Sequence, residues 1–258
     1  MARLLKFLLF FLLCLAVALV VNLPVQHLLA QAKVSRSVQL YGVDGRIFSG
    51  RVGEVAWQRV PLRNVEYRFV ASCLLKLQLC YRVDYDRGGF RLGYDLLNGD
   101  SEVSQARLEY PVAEILTYVN QPLPVRPGGR AELHIDQLTM RDKSLAAASG
   151  KLVWRNLGVD DGDVQLDIGD YQVDFTGSPE QYAFEFSDLD ASLDVTGDAT
   201  IDADGRYQAD VRLSAASGNI DSQVRSVLDL VAQRSSANQY RIEREGRVPP
   251  KIARQLFR

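Results

Sequence analysis

Leu75-Lys76-Leu77-Gln78-Leu79-Cys80-Tyr81-Arg82-Val83-Asp84-Tyr85-Asp86 sets an apolar residue at every second position. Successive side chains of an extended chain point to opposite faces, so this stretch predicts one long, half-buried strand. The same period returns at Val164, Leu166 and Ile168, and again at Tyr171, Val173 and Phe175 beyond a Gly169-Asp170 turn signal. It continues through Tyr182, Phe184 and Phe186, then Tyr207, Ala209, Val211 and Leu213. Turn residues punctuate these runs at Arg87-Gly88-Gly89, Asn98-Gly99-Asp100, Gly177-Ser178-Pro179 and Asp204-Gly205. Hairpin-linked strands with one wet face predict a mainly β fold, a curved antiparallel sheet in a half-barrel or sandwich-like arrangement. Two short helices accompany it. Val112, Ile115, Leu116 and Val119 follow Pro111, and Ile220, Val224, Val227, Leu228 and Val231 follow a candidate N-cap at Asn219.

The N-terminus reads differently. Phe7 to Val21 is an unbroken apolar run behind Arg3 and Lys6. With Leu4 and Leu5 it approaches the ~20 residues that cross a bilayer. The flanking cations keep the N-terminus cytoplasmic and send the rest to the periplasmic side. Asn22-Leu23-Pro24 ends the helix, because proline disfavours helical geometry in the residue before it. Ala30-Gln31-Ala32 has the small-x-small form of a cleavage site, but the length of the run and its distance from that site favour a retained, single-pass anchor. The domain plan is a cytoplasmic tip and anchor at 1–24, a juxtamembrane segment at 25–40, a periplasmic β domain at 41–247 and a tail at 248–258. The Pro/Gly-rich stretch 121–129 is either a division between two sub-units or a long connection within one sheet.

Of the 258 residues 47% are hydrophobic and 24% charged, ordinary globular usage, and the net charge of −2 argues against a nucleic-acid partner. The charge is unevenly spread. Residues 1–157 carry 20 Lys/Arg against 13 Asp/Glu, residues 158–258 carry 10 against 19, and Arg206 is the only base between Leu157 and Asp210. Such a block is a solvated sheet face or a surface for a charge-complementary partner.

Little in the chain points to chemistry. Cys14 lies in the apolar run, and Cys73 and Cys80 are a candidate disulfide only if the chain turns between them, for instance at Ala71-Ser72-Cys73-Leu74. Two cysteines and the distant His27 and His134 do not make a zinc site. No nucleophile elbow, metalloprotease helix or phosphate loop is present. Asp160-Asp161-Gly162-Asp163 and Asp202-Ala203-Asp204-Gly205 read as ordinary turns, lacking the ligand alternation of a calcium loop. No catalytic residue, cofactor or metal is implied, and the protein reads as a non-enzyme. Aromatics including Trp57, Tyr67, Phe69 and Phe184 are core or groove residues.

Asp44 to Trp57 and Ala148 to Trp154 echo one another, each running small residues and glycine into an alternating strand that ends at Trp. With Gly45, Gly50, Trp57, Leu74 and Leu75, and the later Gly150-x-x-x-Trp154, the arrangement resembles the protein N family of the bacterial type II secretion system. It departs at Tyr67, where that family carries Trp, and after Gly50, which no Trp-x-Gly closely follows. The resemblance implies a non-enzymatic inner-membrane accessory subunit of the secretion machinery, whose periplasmic β domain contacts other subunits. The alternative is a likeness to AsmA-like lipid-carrying proteins, which implies an apolar groove and a lipid partner.

Overall fold

The computed structural model describes residues 11–12, 22, 24–26, 38–57, 60–119, 126–142, 144–160, 165–220 and 222–249. The chain divides into two compact units, Met1–Gly89 and Phe90–Arg258. Both are antiparallel β meanders, as the period-two pattern requires. Among the described residues no helix is long and apolar enough to cross a membrane. The anchor expected from Phe7 to Val21, His27, most of the juxtamembrane segment, residues 121–125 of the Pro/Gly stretch and the tail beyond Pro249 lie outside the described residues.

In the first unit β1 (Val38–Arg46), β2 (Ser49–Trp57), β3 (Val60–Phe69) and β4 (Gln78–Tyr85) pair in chain order. A 3-10 helix at Ala71–Lys76 separates the last two. The single strand expected from Leu75 to Asp86 is therefore corrected: its first residues are helical and the strand begins at Gln78. The physical reason is the bond between Cys73 and Cys80, whose Cα atoms are 5.9 Å apart. Seven residues of straight strand would hold them about 23 Å apart. The chain folds back instead, ending the helix at Leu77 in the left-handed region (φ 55°) with its N–H bonded to the Leu74 carbonyl at 3.0 Å. From Tyr81 onward the alternation holds, with Val83 and Tyr85 buried and Arg82 and Asp84 exposed.

Strand β5 (Gly88–Asp95) runs across the division. The second unit then contains β6 (Ser101–Pro111), α1 (Val112–Val119), β7 (Arg126–Pro127), β8 (Arg130–Arg141), β9 (Ser144–Asp160), β10 (Gln165–Gly177), β11 (Gln181–Ala191), β12 (Leu193–Asp202), β13 (Arg206–Ala215), α2 (Ser222–Val231), β14 (Gln233–Ser236) and β15 (Gln239–Arg247). Its sheet runs β6-β8-β9-β10-β11-β12-β13-β15-β14, with β7 paired to β9. The turn expected at Gly169-Asp170 is a β-bulge within one 13-residue strand. Gly169 takes φ +112°, so the extra residue is absorbed without a reversal, and Asp170 accepts the Asn156 N–H at 2.7 Å.

Helix α2 lays Leu228 against Leu193 and Tyr240, with Ile220 just before it completing the cluster. Tyr240 is 1% exposed, and its hydroxyl donates to Asp229 at 2.7 Å. Away from this plug much of the apolar face of the sheet is half-buried.

A recurrent contact explains the internal echo. Gly50 lies opposite Tyr67 and Gly150 opposite Phe175, and an aromatic ring lies over each glycine. Gly177 with Tyr182 and Gly246 with Tyr207 repeat the arrangement. The missing side chain gives the neighbouring ring a place to lie flat on the sheet.

Candidate interaction surface

The register of the second sheet assembles what the chain scatters. Arg107 lies opposite His134, His134 opposite Lys151, and Lys151 opposite Asp174. The row continues through Glu185, Asp198, Asp210 and Glu243, each directly opposite the last. Directly paired residues share a face, so eight strands display one transverse row, basic at one end and acidic over five consecutive strands at the other. The residue beside each of these in the chain forms the matching row on the other face: Leu108, Leu133, Leu152, Val173, Phe186, Gly197, Val211 and Ile242.

A shallow concavity of about 430 Å³ lies on the acidic part, lined by residues including Asp174, Glu185, Ser187, Thr196, Asp198 and Asp210. Arg241 offsets part of the charge, donating through Nε and Nη2 to the two oxygens of Asp210 at 2.8 and 2.7 Å. That contact holds the Asp210 carboxyl below its ordinary range. Glu185 faces like charges on both sides, Asp174 and Asp198, and like charges directly opposite are destabilising. Glu185→Gln is therefore expected to raise stability, by up to about 1 kcal/mol at low salt. Thermal melts at low and high ionic strength check this, since screening should erase the gain.

On the opposite face Tyr171 pairs with Trp154, whose Nε1 donates to the Gly128 carbonyl at 3.1 Å. Burial, aided by the charge of Asp188, pushes the Tyr171 phenol up from 10.0 to about 12. A folded pKa above the unfolded one means that its stabilising contribution is complete below pH 10 and is lost as pH climbs toward 12. Phenolate absorbance should show a phenol ionising near pH 12 that Tyr171→Phe removes.

The residues singled out from sequence fall in different places. Gly45 (φ +116°) and Gly50 pair across the β1–β2 hairpin, where a side chain on Gly50 would strike the Asp44 carbonyl and the Tyr67 hydroxyl. Trp57 ends β2, opposite Val38. Cys73 and Cys80 are bonded and buried, while Leu74 and Leu75 between them are exposed. His134 is half-buried, 3.8 Å from Glu132. Asp204 forms a plain turn, accepting the Arg206 N–H at 3.1 Å. Residues 161–164 of the other acidic turn lie outside the described residues. Among the described residues no group of three or more His, Cys, Asp or Glu is arranged to hold a metal. The second sheet presents graded charge on one side and an apolar row on the other.

A family model described as type II secretion system (T2SS), protein N matches residues 36–243. A curated relative, the type II secretion system protein N of Vibrio cholerae serotype O1 (strain ATCC 39315 / El Tor Inaba N16961), is 24% identical over 201 residues, covering 74% of this chain and 78% of that protein. No solved structure matches the chain.

Proposed function

The chain belongs to the type II secretion system protein N family, and from that premise we propose that it is a non-enzymatic accessory subunit of the secretion machinery. In this reading the Phe7–Val21 run anchors it in the bacterial inner membrane with the N-terminus in the cytoplasm. The β domain works in the periplasm, where it contacts other inner-membrane or periplasmic subunits. The observation that carries the proposal is the family match across 36–243. Two features support its finer parts. Phe11 and Leu12, described residues inside the apolar run, are helical and exposed. The Cys73–Cys80 bond suits an oxidising compartment. Anchoring confines the domain to the membrane surface and raises the local concentration of membrane-bound partners.

The charge-graded row is the surface proposed for those contacts. Affinity purification of the tagged full chain from membranes should enrich secretion components over a mock control, and Glu185→Lys with Asp198→Lys should reduce that enrichment. If no secretion component is enriched, the reading fails. The half-buried apolar face of the second unit is the feature a lipid-carrying role would use. The family match favours the secretion role, and lipid retained on gently purified protein is the result that would reverse that preference.

A further inference from the structure

The turn closed by Cys73–Cys80 breaks the usual economy of a folded surface. Leu75 is 90% exposed, Leu77 50% and Leu74 46%. Three leucines within four residues, held out in water, mark a contact site, and the disulfide prevents them from folding away. The only charge from Ala71 to Leu79 is a cation, Lys76.

The turn's position in the first unit says what meets it. The N-terminal apolar run ends at Asn22-Leu23-Pro24. Pro24 bridges to Arg46, and Gln26 Nε2 donates to the Val43 carbonyl at 2.9 Å. The residues just past the run therefore lie at the end of β1, beside the β1–β2 turn at Ile47-Phe48. The Cys73 turn leaves the sheet at that same end. The Phe69 N–H donates to the Phe48 carbonyl at 2.7 Å, the Val70 N–H to the Cys80 carbonyl at 2.9 Å, and the Phe48 and Phe69 rings are 5.0 Å apart.

We infer that this turn is a second membrane contact: Leu74, Leu75 and Leu77 enter the interfacial layer of the bilayer from which the anchor emerges, with Lys76 among the headgroups. Apolar side chains beside a cation are the pattern of interfacial segments, and a lysine stem can lie along the apolar layer while its ammonium meets anionic lipid. The contact would fix the tilt of the first unit, which a single tether leaves free. The inference rests on the anchor proposed above.

The test places p-benzoylphenylalanine at position 75 of the full chain, or as a control at Arg63, about 20 Å back along β3. Both positions are exposed, so neither change threatens the fold. The chain is reconstituted in vesicles of phosphatidylethanolamine and phosphatidylglycerol, illuminated, and analysed by mass spectrometry for lipid adducts. Several-fold more lipid adduct at position 75 than at 63 is expected. Retention after alkaline carbonate extraction separates the two ideas. A chain that stays in the vesicles but gives no excess lipid adduct at 75 overturns this inference alone. A chain stripped from the vesicles overturns the anchor and the inference together. A protein adduct at 75 in place of lipid means that another copy covers the turn, and also overturns it.

Discussion

Replacing Gly150 with alanine should destabilise the second unit by about 3 kcal/mol, the upper end of what overpacking costs. Gly150 is buried between β8 and β10. A methyl group there would strike the His134 carbonyl, with the Ile135 Cα at 3.0 Å and the Phe175 ring at 2.8 Å. Two of these are backbone and cannot swing aside, so β8 must move away from β9 or the ring must leave its place. At about 2–4 °C per kcal/mol for a chain of this size, the melting midpoint should fall by roughly 6–12 °C. Gly128→Ala is the matched control, because its methyl would meet only the Gly158 carbonyl at 3.9 Å. Its effect should stay within about 0.5 kcal/mol. Calorimetry on the two variants decides the matter: equal midpoints would mean that the ring contacts at Gly150 relax freely.

Removing the Cys73–Cys80 bond is the second large effect. Closing a loop of this length restricts the unfolded chain by about 2.5 kcal/mol on the entropy model. Cys73→Ala with Cys80→Ala should lower the stability of the first unit by that amount, plus a contribution from two emptied buried sites. Reductant should lower the wild-type midpoint by several degrees and leave the double variant unchanged. The structural consequence is specific as well. Freed of the bond, residues 75–77 should extend and join β4, the conformation their alternation favours. Hydrogen exchange would show this as new slowly exchanging amides at 75–77.

That competition shows where sequence was a sufficient guide. Alternation reads correctly wherever a strand pairs along its whole length, as at Tyr182, Phe184 and Phe186 in β11. Both helices were legible because their apolar spacing changes to a period near 3.6, although the second begins at Ser222, past the cap expected at Asn219. At Leu75 and Leu77 the pattern misleads, because the Cys73–Cys80 bond, which the two cysteines offered only as an alternative to a straight strand, overrides it. At Gly169-Asp170 the letters of a turn serve a bulge, and only the partner strands β9 and β11 distinguish them. The charged row was visible only as an acidic surplus between Leu157 and Asp210. Its order is a property of register, which depends on where each hairpin turns rather than on any one strand.

Strand order has a consequence for biogenesis. In each unit nearly every strand lies beside its predecessor, so a polypeptide emerging N-terminus first finds a finished template for each new segment. Few segments must search for a distant mate, the step that slows most all-β proteins. The exceptions are β7, which pairs with the later β9 and leaves β8 beside β6, and β14, whose partner β15 slots between it and β13. The flank of β13 stays open until these late residues arrive, making it the last seam to close and the natural point of attack for a chaperone or a protease.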